Sequence, residues 1–276
     1  MAPRIEVTDP ADPRLDDFRD LARADRRPDR PGGRGLVIAE GVVVVRRLLV
    51  SPYPTRALLG TARRYTELAD DLTAHSAPFY VVEPELMAAV VGFHLNRGVL
   101  ATADRAGSPP VEPLIAGAQA LAVLEGVGDH ENLGSIFRSA AALGVDGVLL
   151  GAGCADPLYR RSVRVSMGTV LQIPFAALPG WPDGGADLLR AGGFRLVALT
   201  PRAGALRLAE AGLARGRIAV LLGSEGPGLT DDALAAADLH VRIPMSRAID
   251  SLNVGTAAAI AFAAMDRRVP AGWDGS

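Results

Sequence analysis

Three clusters in the second half of the chain carry residue types that can do chemistry. The first is Asn132-Leu133-Gly134-Ser135-Ile136-Phe137-Arg138. Asn132 suits the N-cap of a helix. Arg138 follows six residues later, beside the small residues Ser139–Ala142. A charge on such an apolar helix is uncommon. It is either a solvated rim or a fork aimed at phosphate. The second cluster is Gly223-Ser224-Glu225-Gly226-Pro227-Gly228-Leu229. Its glycines and proline predict a tight turn that exposes backbone, with Glu225 held inside it. A plain strand-to-helix loop would use the same glycines. The third runs from Ile243-Pro244-Met245 to Ser251-Leu252-Asn253-Val254-Gly255-Thr256, at the start of an Ala-rich helix. Ser251 and Asn253 are good caps and could serve only as that. Ile243 and Met245 could cradle an adenine or belong to the core.

Absent patterns narrow the chemistry. After the strand 120–124 comes Glu125-Gly126-Val127-Gly128-Asp129-His130-Glu131. The third glycine of a dinucleotide fingerprint is replaced by Glu131. No G-x-S-x-G elbow occurs, so a hydrolase triad has no support. All 29 Lys-or-Arg residues are Arg. Schiff-base lysines, lysine bases and Walker-type phosphate loops are thereby excluded. The single cysteine, Cys154, has no partner for a disulfide and no companions for a zinc site, and its role stays open. His75, His94, His130 and His240 show no i,i+4 pair, so no metal is expected.

A hydrophobic share of 49% with 22% charged residues predicts a folded chain, and a net charge of −2 excludes a polycation. No run of about 18 apolar residues predicts a membrane span. The acidic start, MAPRIEVTDPADPRLDD, does not resemble a signal peptide. The expectation is a cytoplasmic protein with no membrane partner.

The elements that must position these clusters alternate between strand and helix. In the first half, strands are expected at 36–39, 57–59, 79–82 and 99–101, and helices at 41–50, 61–74 and 84–91. The segment 104–113 (DRAGSPPVEP) has no periodicity and reads as a linker. In the second half, strands are expected at 120–124, 147–150, 172–176, 194–199, 218–222 and 239–243. Helices are expected at 132–143, 157–167, 183–191, 230–236 and 253–266. Strands apolar throughout, such as Ile218–Leu222, predict a parallel sheet buried on both faces. The fold class is therefore α/β, with domains at 1–105 and 114–276 and a linker at 106–113. All three clusters then follow strands, where α/β folds place ligands. In the first half, Arg26, Arg27, Arg30 and Arg34 oppose only Asp29 over nine residues. That loop is either solvated surface or a contact for phosphates.

Taken together, the order and spacing of the three clusters resemble the motifs of the SpoU (TrmH-like) branch of SPOUT RNA ribose 2′-O-methyltransferases, over about 114–276. The first half is similar in layout to that family's ribosomal-protein-like α/β RNA-binding domain. Ala39-Glu40-Gly41 and Gly92-Phe93-His94…Gly98-Val99 carry that part. The resemblance implies S-adenosyl-L-methionine as methyl donor and structured RNA as substrate, ribosomal RNA ahead of tRNA. It implies a parallel sheet with a deep trefoil knot and a homodimer formed through the C-terminal domain. By motif, Gly223, Ile243 and Leu252 would offer backbone groups to the donor, with Leu222 and Met245 around its adenine. Asn132, Arg138, Glu225, Ser251 and Asn253 would form the catalytic set. Arg26, Arg27, Arg30 and Arg34 would contact RNA. Gly255 departs from the family's usual Ser or Ala and is expected to loosen the helix start. Two other readings stay open: a donor- and RNA-binding homologue without turnover, and a base methyltransferase of the same fold.

Overall fold

The computed structural model describes residues 2–21, 35–107, 109–246 and 251–265. The chain divides into two compact units: Met1–Gly107 with Asp156–Gln172, and Ser108–Ala155 with Ile173–Ser276.

The first unit is built on a mixed sheet of five strands. These are β1 (Arg4–Glu6), β2 (Leu36–Glu40), β3 (Thr55–Gly60), β4 (Phe79–Val81) and β5 (Val99–Asp104), in the order β1-β4-β3-β5-β2. The pairs β1/β4 and β3/β4 are parallel; β3/β5 and β2/β5 are antiparallel. Helices α1 (Val42–Leu49), α2 (Ala62–Glu67) and α3 (Pro84–Val91) follow β2, β3 and β4. Pro84 sits in the first turn of α3, where its missing N–H costs nothing. Leu15, Phe18, Leu59, Met87, Val90 and Leu100 form the apolar centre of this unit.

The second unit carries an all-parallel sheet of seven strands. They are β6 (Ala120–Leu124), β7 (Gly147–Leu150), β8 (Phe175–Ala177), β9 (Phe194–Leu199), β10 (Leu206–Arg207), β11 (Arg217–Leu222) and β12 (Leu239–Arg242), in the order β10-β12-β9-β11-β6-β7-β8. Every residue of β6 is buried, as continuous apolar runs require when both faces are covered. Helices α4 (Val111–Gly117), α5 (His130–Ala142), α7 (Asp183–Ala191), α8 (Asp231–Ala235) and α9 (Val254–Ala263) belong here. From β6 the chain first builds β7 and β8 on one side, and later β9, β11 and β12 on the other. That reversal of strand order opens a crevice at the carboxyl edge.

Several placements differ from the sequence-based expectation, among them the strand expected at 172–176, which is found at Phe175–Ala177. The aperiodic stretch 104–113 is only in part a connector, because α4 starts at Val111. Its Pro113 falls in the first turn, which tolerates proline, so proline content there did not mean loop. Residues 156–172, expected within the second domain, pack in the first unit. Their helix α6 (Arg160–Val165) lies against β2. Arg105 Nη2 donates to both carboxylate oxygens of Asp156, at 2.5 and 2.6 Å. Arg47 Nη1 donates to the Met167 carbonyl at 2.6 Å.

Candidate active site at the carboxyl edge of the parallel sheet

The turn after β11 is shaped by backbone contact. Ser224 and Gly228 form an antiparallel bridge, with the Gly228 N–H donating to the Ser224 carbonyl at 3.1 Å. The turn folds back so closely that a Cβ at Gly223 would lie 2.1 Å from the Gly228 carbonyl carbon. Only glycine fits at 223, and the exposed Glu225 is carried at the tip.

The start of α5 is arranged differently from expectation. Asp129, not Asn132, is the N-cap: its Oδ1 accepts from the N–H groups of Glu131 and Asn132, each at 2.9 Å. A carboxylate at the helix start also complements the helix dipole. The Asn132 side chain is thereby free for another partner, and it is buried.

That partner is Asn253, the N-cap of α9. Its Oδ1 accepts from the N–H of Gly255 at 3.0 Å and of Thr256 at 3.2 Å. Its Nδ2 donates to Asn132 Oδ1 at 2.7 Å and to Glu225 Oε1 at 2.8 Å. One amide thus caps a helix and joins all three sequence clusters. The cap requires the oxygen to face the helix, so the amide orientation is fixed by the network.

Beside this junction lies a cavity of about 460 Å³. Leu222, Gly223 and Glu225 line it from the β11 turn, Ile243 and Met245 from beyond β12, and Ser251, Leu252 and Asn253 from the start of α9. Those are eight of the ten residues expected to act on donor or substrate. Asn132 joins them through Asn253. Arg138 does not: it is exposed on α5, lines no part of the cavity, and makes no hydrogen bond or ion pair among the described residues. Six residues of helix separate it from Asn132, about 9 Å along the axis. Arg26, Arg27, Arg30 and Arg34 lie outside the described residues.

Sequence reasoning missed Leu199, which ends β9, and Thr200 and Pro201 just beyond it, all lining the same cavity. The signal was available: they sit at the carboxyl end of a buried parallel strand. It also missed Glu125. This buried carboxylate accepts from Trp181 Nε1 (3.2 Å), the Thr230 N–H (2.9 Å) and the Thr230 hydroxyl (3.0 Å). It ties the end of β6 to the start of α8.

Gly255 corrects another expectation. A Cβ there would meet Ser135 Oγ at 2.8 Å and Ser135 Cβ at 3.0 Å. The glycine lets α9 approach α5 closely and does not slacken it. The Cys154 thiol is held above its ordinary pKa by burial, and it donates to the Leu124 carbonyl at 3.3 Å. A raised thiol pKa means little thiolate near neutrality. Among the described residues no group of three His, Cys, Asp or Glu is placed to hold a metal ion. No helix among them is long and apolar enough to cross a membrane.

Comparison with known proteins bears on this arrangement. A sequence profile described as the SpoU rRNA Methylase family matches residues 119–263. An uncharacterized tRNA/rRNA methyltransferase of Mycobacterium tuberculosis is 59% identical over 259 residues, covering 93% of this chain and 90% of that protein. The 23S rRNA (guanosine(2553)-2′-O)-methyltransferase of Bacillus subtilis is 28% identical over 229 residues, covering 81% and 85%. Among solved structures, the AdoMet-bound rRNA methyltransferase of Sinorhizobium meliloti superimposes with a TM-score of 0.79 at 25% identity, over 95% of this chain and 97% of that one. The profile spans more than half of the chain and all three clusters of the site, and the chain belongs to the SpoU rRNA methylase family.

Proposed function

We propose that this protein transfers a methyl group from S-adenosylmethionine to a ribose 2′-hydroxyl of structured RNA, ribosomal RNA ahead of tRNA. The observation that carries this reading is the Asn132–Asn253–Glu225 junction at the mouth of the cavity. The Bacillus subtilis relative is named for the same reaction, which supports it further.

The residues present suit the donor. The cavity falls within the range of roughly 300–1,000 Å³ typical of small-molecule sites. Leu199, Leu222, Ile243, Met245 and Leu252 give it an apolar wall fit for an adenine. Glu225, Ser251 and Asn253 give it a polar side. When bound, S-adenosylmethionine supplies a methyl group already activated on a sulfonium. Backbone groups of Gly223, Ile243 and Leu252 would hold it.

The chain's own residues then have to align the hydroxyl and manage charge. Positioning alone can supply about 7–11 kcal/mol of a barrier. Asn253 fixes Glu225 and Asn132 before any substrate arrives, so the alignment costs no reorganisation. Arg138 is not cast as the base. Its role in this proposal is to clamp the neighbouring phosphate and stabilise charge developing on the ribose oxygen. Ser251 completes the polar side. Nothing in this set is missing, which favours turnover over a donor-binding homologue without activity.

Arg138 stands apart from the cavity, and this favours a site completed by a second copy. The proposal therefore includes a homodimer through the second unit, burying more than about 2,000 Å². A stable monomer by sedimentation that still methylates RNA would refute it. The proposal also includes a trefoil knot. Its support is that β12 lies beyond β9 while α9 returns to pack on α5. The first unit, with Arg26, Arg27, Arg30 and Arg34, is assigned to recruiting RNA in the cytoplasm. Replacing those four arginines with serine should weaken RNA binding and leave donor affinity unchanged.

The deciding experiment maps 2′-O-methylation across total RNA in cells with and without the gene. Loss of one ribose methyl, restored by the purified protein in vitro, is the expected result. A methyl that lands on a base would establish the base-methylating alternative instead.

A further inference from the structure

Two motifs of the first unit are not used by the proposed chemistry: Glu40-Gly41 and Gly92…Gly98. The fold brings them together. The Gly41 N–H donates to the Val99 carbonyl at 2.9 Å, and Arg97 Nη1 reaches the Glu40 carbonyl at 3.4 Å. The Arg97 side chain lies directly over Gly41. Helix α6 completes the cluster, with the Arg160 guanidinium 4.7 Å from the centre of the Phe93 ring.

The cluster is left unfinished. Glu40 is only 8% exposed, and its Oε2 has no hydrogen-bond partner. Arg160 Nη1 is buried and likewise has none. A buried acceptor and a buried donor of opposite charge therefore stay unsatisfied in one region, which native structures rarely allow. Burial pushes the Arg160 guanidinium below its ordinary pKa, and nearby Glu40 opposes that shift. The two groups share this region without closing on one another.

We propose that Glu40, Arg160 and Phe93 form a reading site for one unstacked guanine base of the RNA substrate. This rests on the reading that the chain acts on RNA. A guanine edge presents two adjacent donors, N1–H and N2–H, beside the acceptor O6. A carboxylate takes the two donors, and a guanidinium donates to O6. Both unsatisfied groups find partners in one ligand. Unstacked RNA bases also settle on aromatic rings and guanidinium planes, and Phe93 with Arg160 offers both in contact. Phe93 is half-buried, between the exposed Gly92 and His94. The base must displace a cover to reach Glu40. Arg97 is that cover: it is a half-exposed, flexible side chain held to the turn by a long bond. Once moved, it is placed to meet the phosphate of the captured nucleotide.

The test uses the full chain and a set of hairpin RNAs that differ in one bulged nucleotide, with a fully paired hairpin as reference. Affinities are read by fluorescence anisotropy at one salt concentration, because backbone contacts vary with salt. The bulged guanosine should bind about ten-fold tighter than bulged uridine. Glu40→Gln should abolish that difference. Phe93→Leu should weaken every bulged hairpin and leave the paired one unchanged. S-adenosylmethionine affinity, measured by calorimetry, should stay the same in both variants. Equal binding of guanosine and uridine by the parent chain overturns the proposal. So does a preference that survives Glu40→Gln while the melting temperature moves, which would mark a purely structural pair. If Glu40→Gln does not fold, unchanged affinity of Phe93→Leu for the bulged hairpins overturns it alone. Failure to bind any hairpin would overturn the RNA reading itself.

Discussion

The carboxyl-edge junction and the Glu40–Arg160 cluster treat their polar groups in opposite ways. At the carboxyl edge of the parallel sheet, both hydrogens of the Asn253 amide and its oxygen are engaged, and both oxygens of Glu125 are occupied. In the mixed-sheet unit, Glu40 Oε2 and Arg160 Nη1 remain open. A satisfied network fixes a geometry during folding and is ready before the ligand arrives. An open pair keeps a desolvation cost that a ligand can relieve. Preorganisation belongs where atoms must be aligned for reaction, and unfinished contacts belong where a partner must be chosen. Arg138 stands outside that junction, an exposed cation on α5. It is therefore the first place to test the contrast.

Arg138→Ala should have the largest effect. Removing one preorganised charged contact to a transition state costs about 2.7–4 kcal/mol, or 10²–10³ in rate. Donor affinity should not change, because the cavity is lined without Arg138. Arg138→Lys should recover little, since a point charge does not reproduce a guanidinium fork on phosphate. Single-turnover methyl transfer beside calorimetric donor binding reads both. Near-normal turnover in Arg138→Ala would leave the satisfied network to act alone. Lost donor binding with the fold intact would move Arg138 into the donor site.

Asn253 separates the cap from the junction. Asn253→Asp keeps an oxygen for the Gly255 and Thr256 N–H groups, so α9 should stay capped. It replaces the donor that faces Asn132 Oδ1 and Glu225 by an acceptor. Losing hydrogen bonds of this kind costs about 2 kcal/mol, or some thirty-fold in turnover. Asn253→Ala loses the cap as well, for about 1 kcal/mol of further stability. Equal turnover in the parent and Asn253→Asp chains would show that the junction is only a cap. Thermal unfolding run alongside distinguishes the two losses.

The strands were the most legible part of the chain. The ranges 120–124, 147–150 and 194–199 hold to the residue, because short apolar runs such as Ala-Leu-Ala-Val-Leu have the length of a strand buried on both faces. Helix ends were less so. The polar stretch expected as a helix at 61–74 stops at Glu67, with the rest in turns. Charged residues there gave no apolar stripe to fix its length. The strand Arg4–Glu6 is three residues long with two charges, and only its pairing with β4 makes it a strand. Most of the site was legible because its motifs follow strands in order. The role of Asn132 was not. Asn and Asp both cap helices, and sequence alone does not show that Asp129 takes the cap and leaves Asn132 for Asn253. Thr200 and Pro201 lacked any unusual residue type to mark them.

The smallest effect tests how rigid the satisfied network is. Gly255 sits in the first turn of α9, two residues beyond Asn253. Alanine there gains about 1 kcal/mol of helix propensity over glycine. Its Cβ would also press on Ser135, 2.8 Å from Oγ and 3.0 Å from Cβ. Overpacking of this kind costs typically about 1–3 kcal/mol. The loss should exceed the gain by about 1 kcal/mol, a fall of roughly 2–4 °C in melting temperature for a chain of this size. Ser135→Ala in the same chain removes the closer contact but not the Cβ contact, so it should restore about half of the loss. That coupling between α5 and α9 is what a double-mutant cycle measures. The same pressure acts on the turn that carries Asn253, so turnover in Gly255→Ala should fall more than stability alone explains. If Gly255→Ala were instead stabilised by the full propensity gain, the contact between α5 and α9 would be slack. The junction at the carboxyl edge would then be no better preorganised than the Glu40–Arg160 cluster, and the contrast between them would fail.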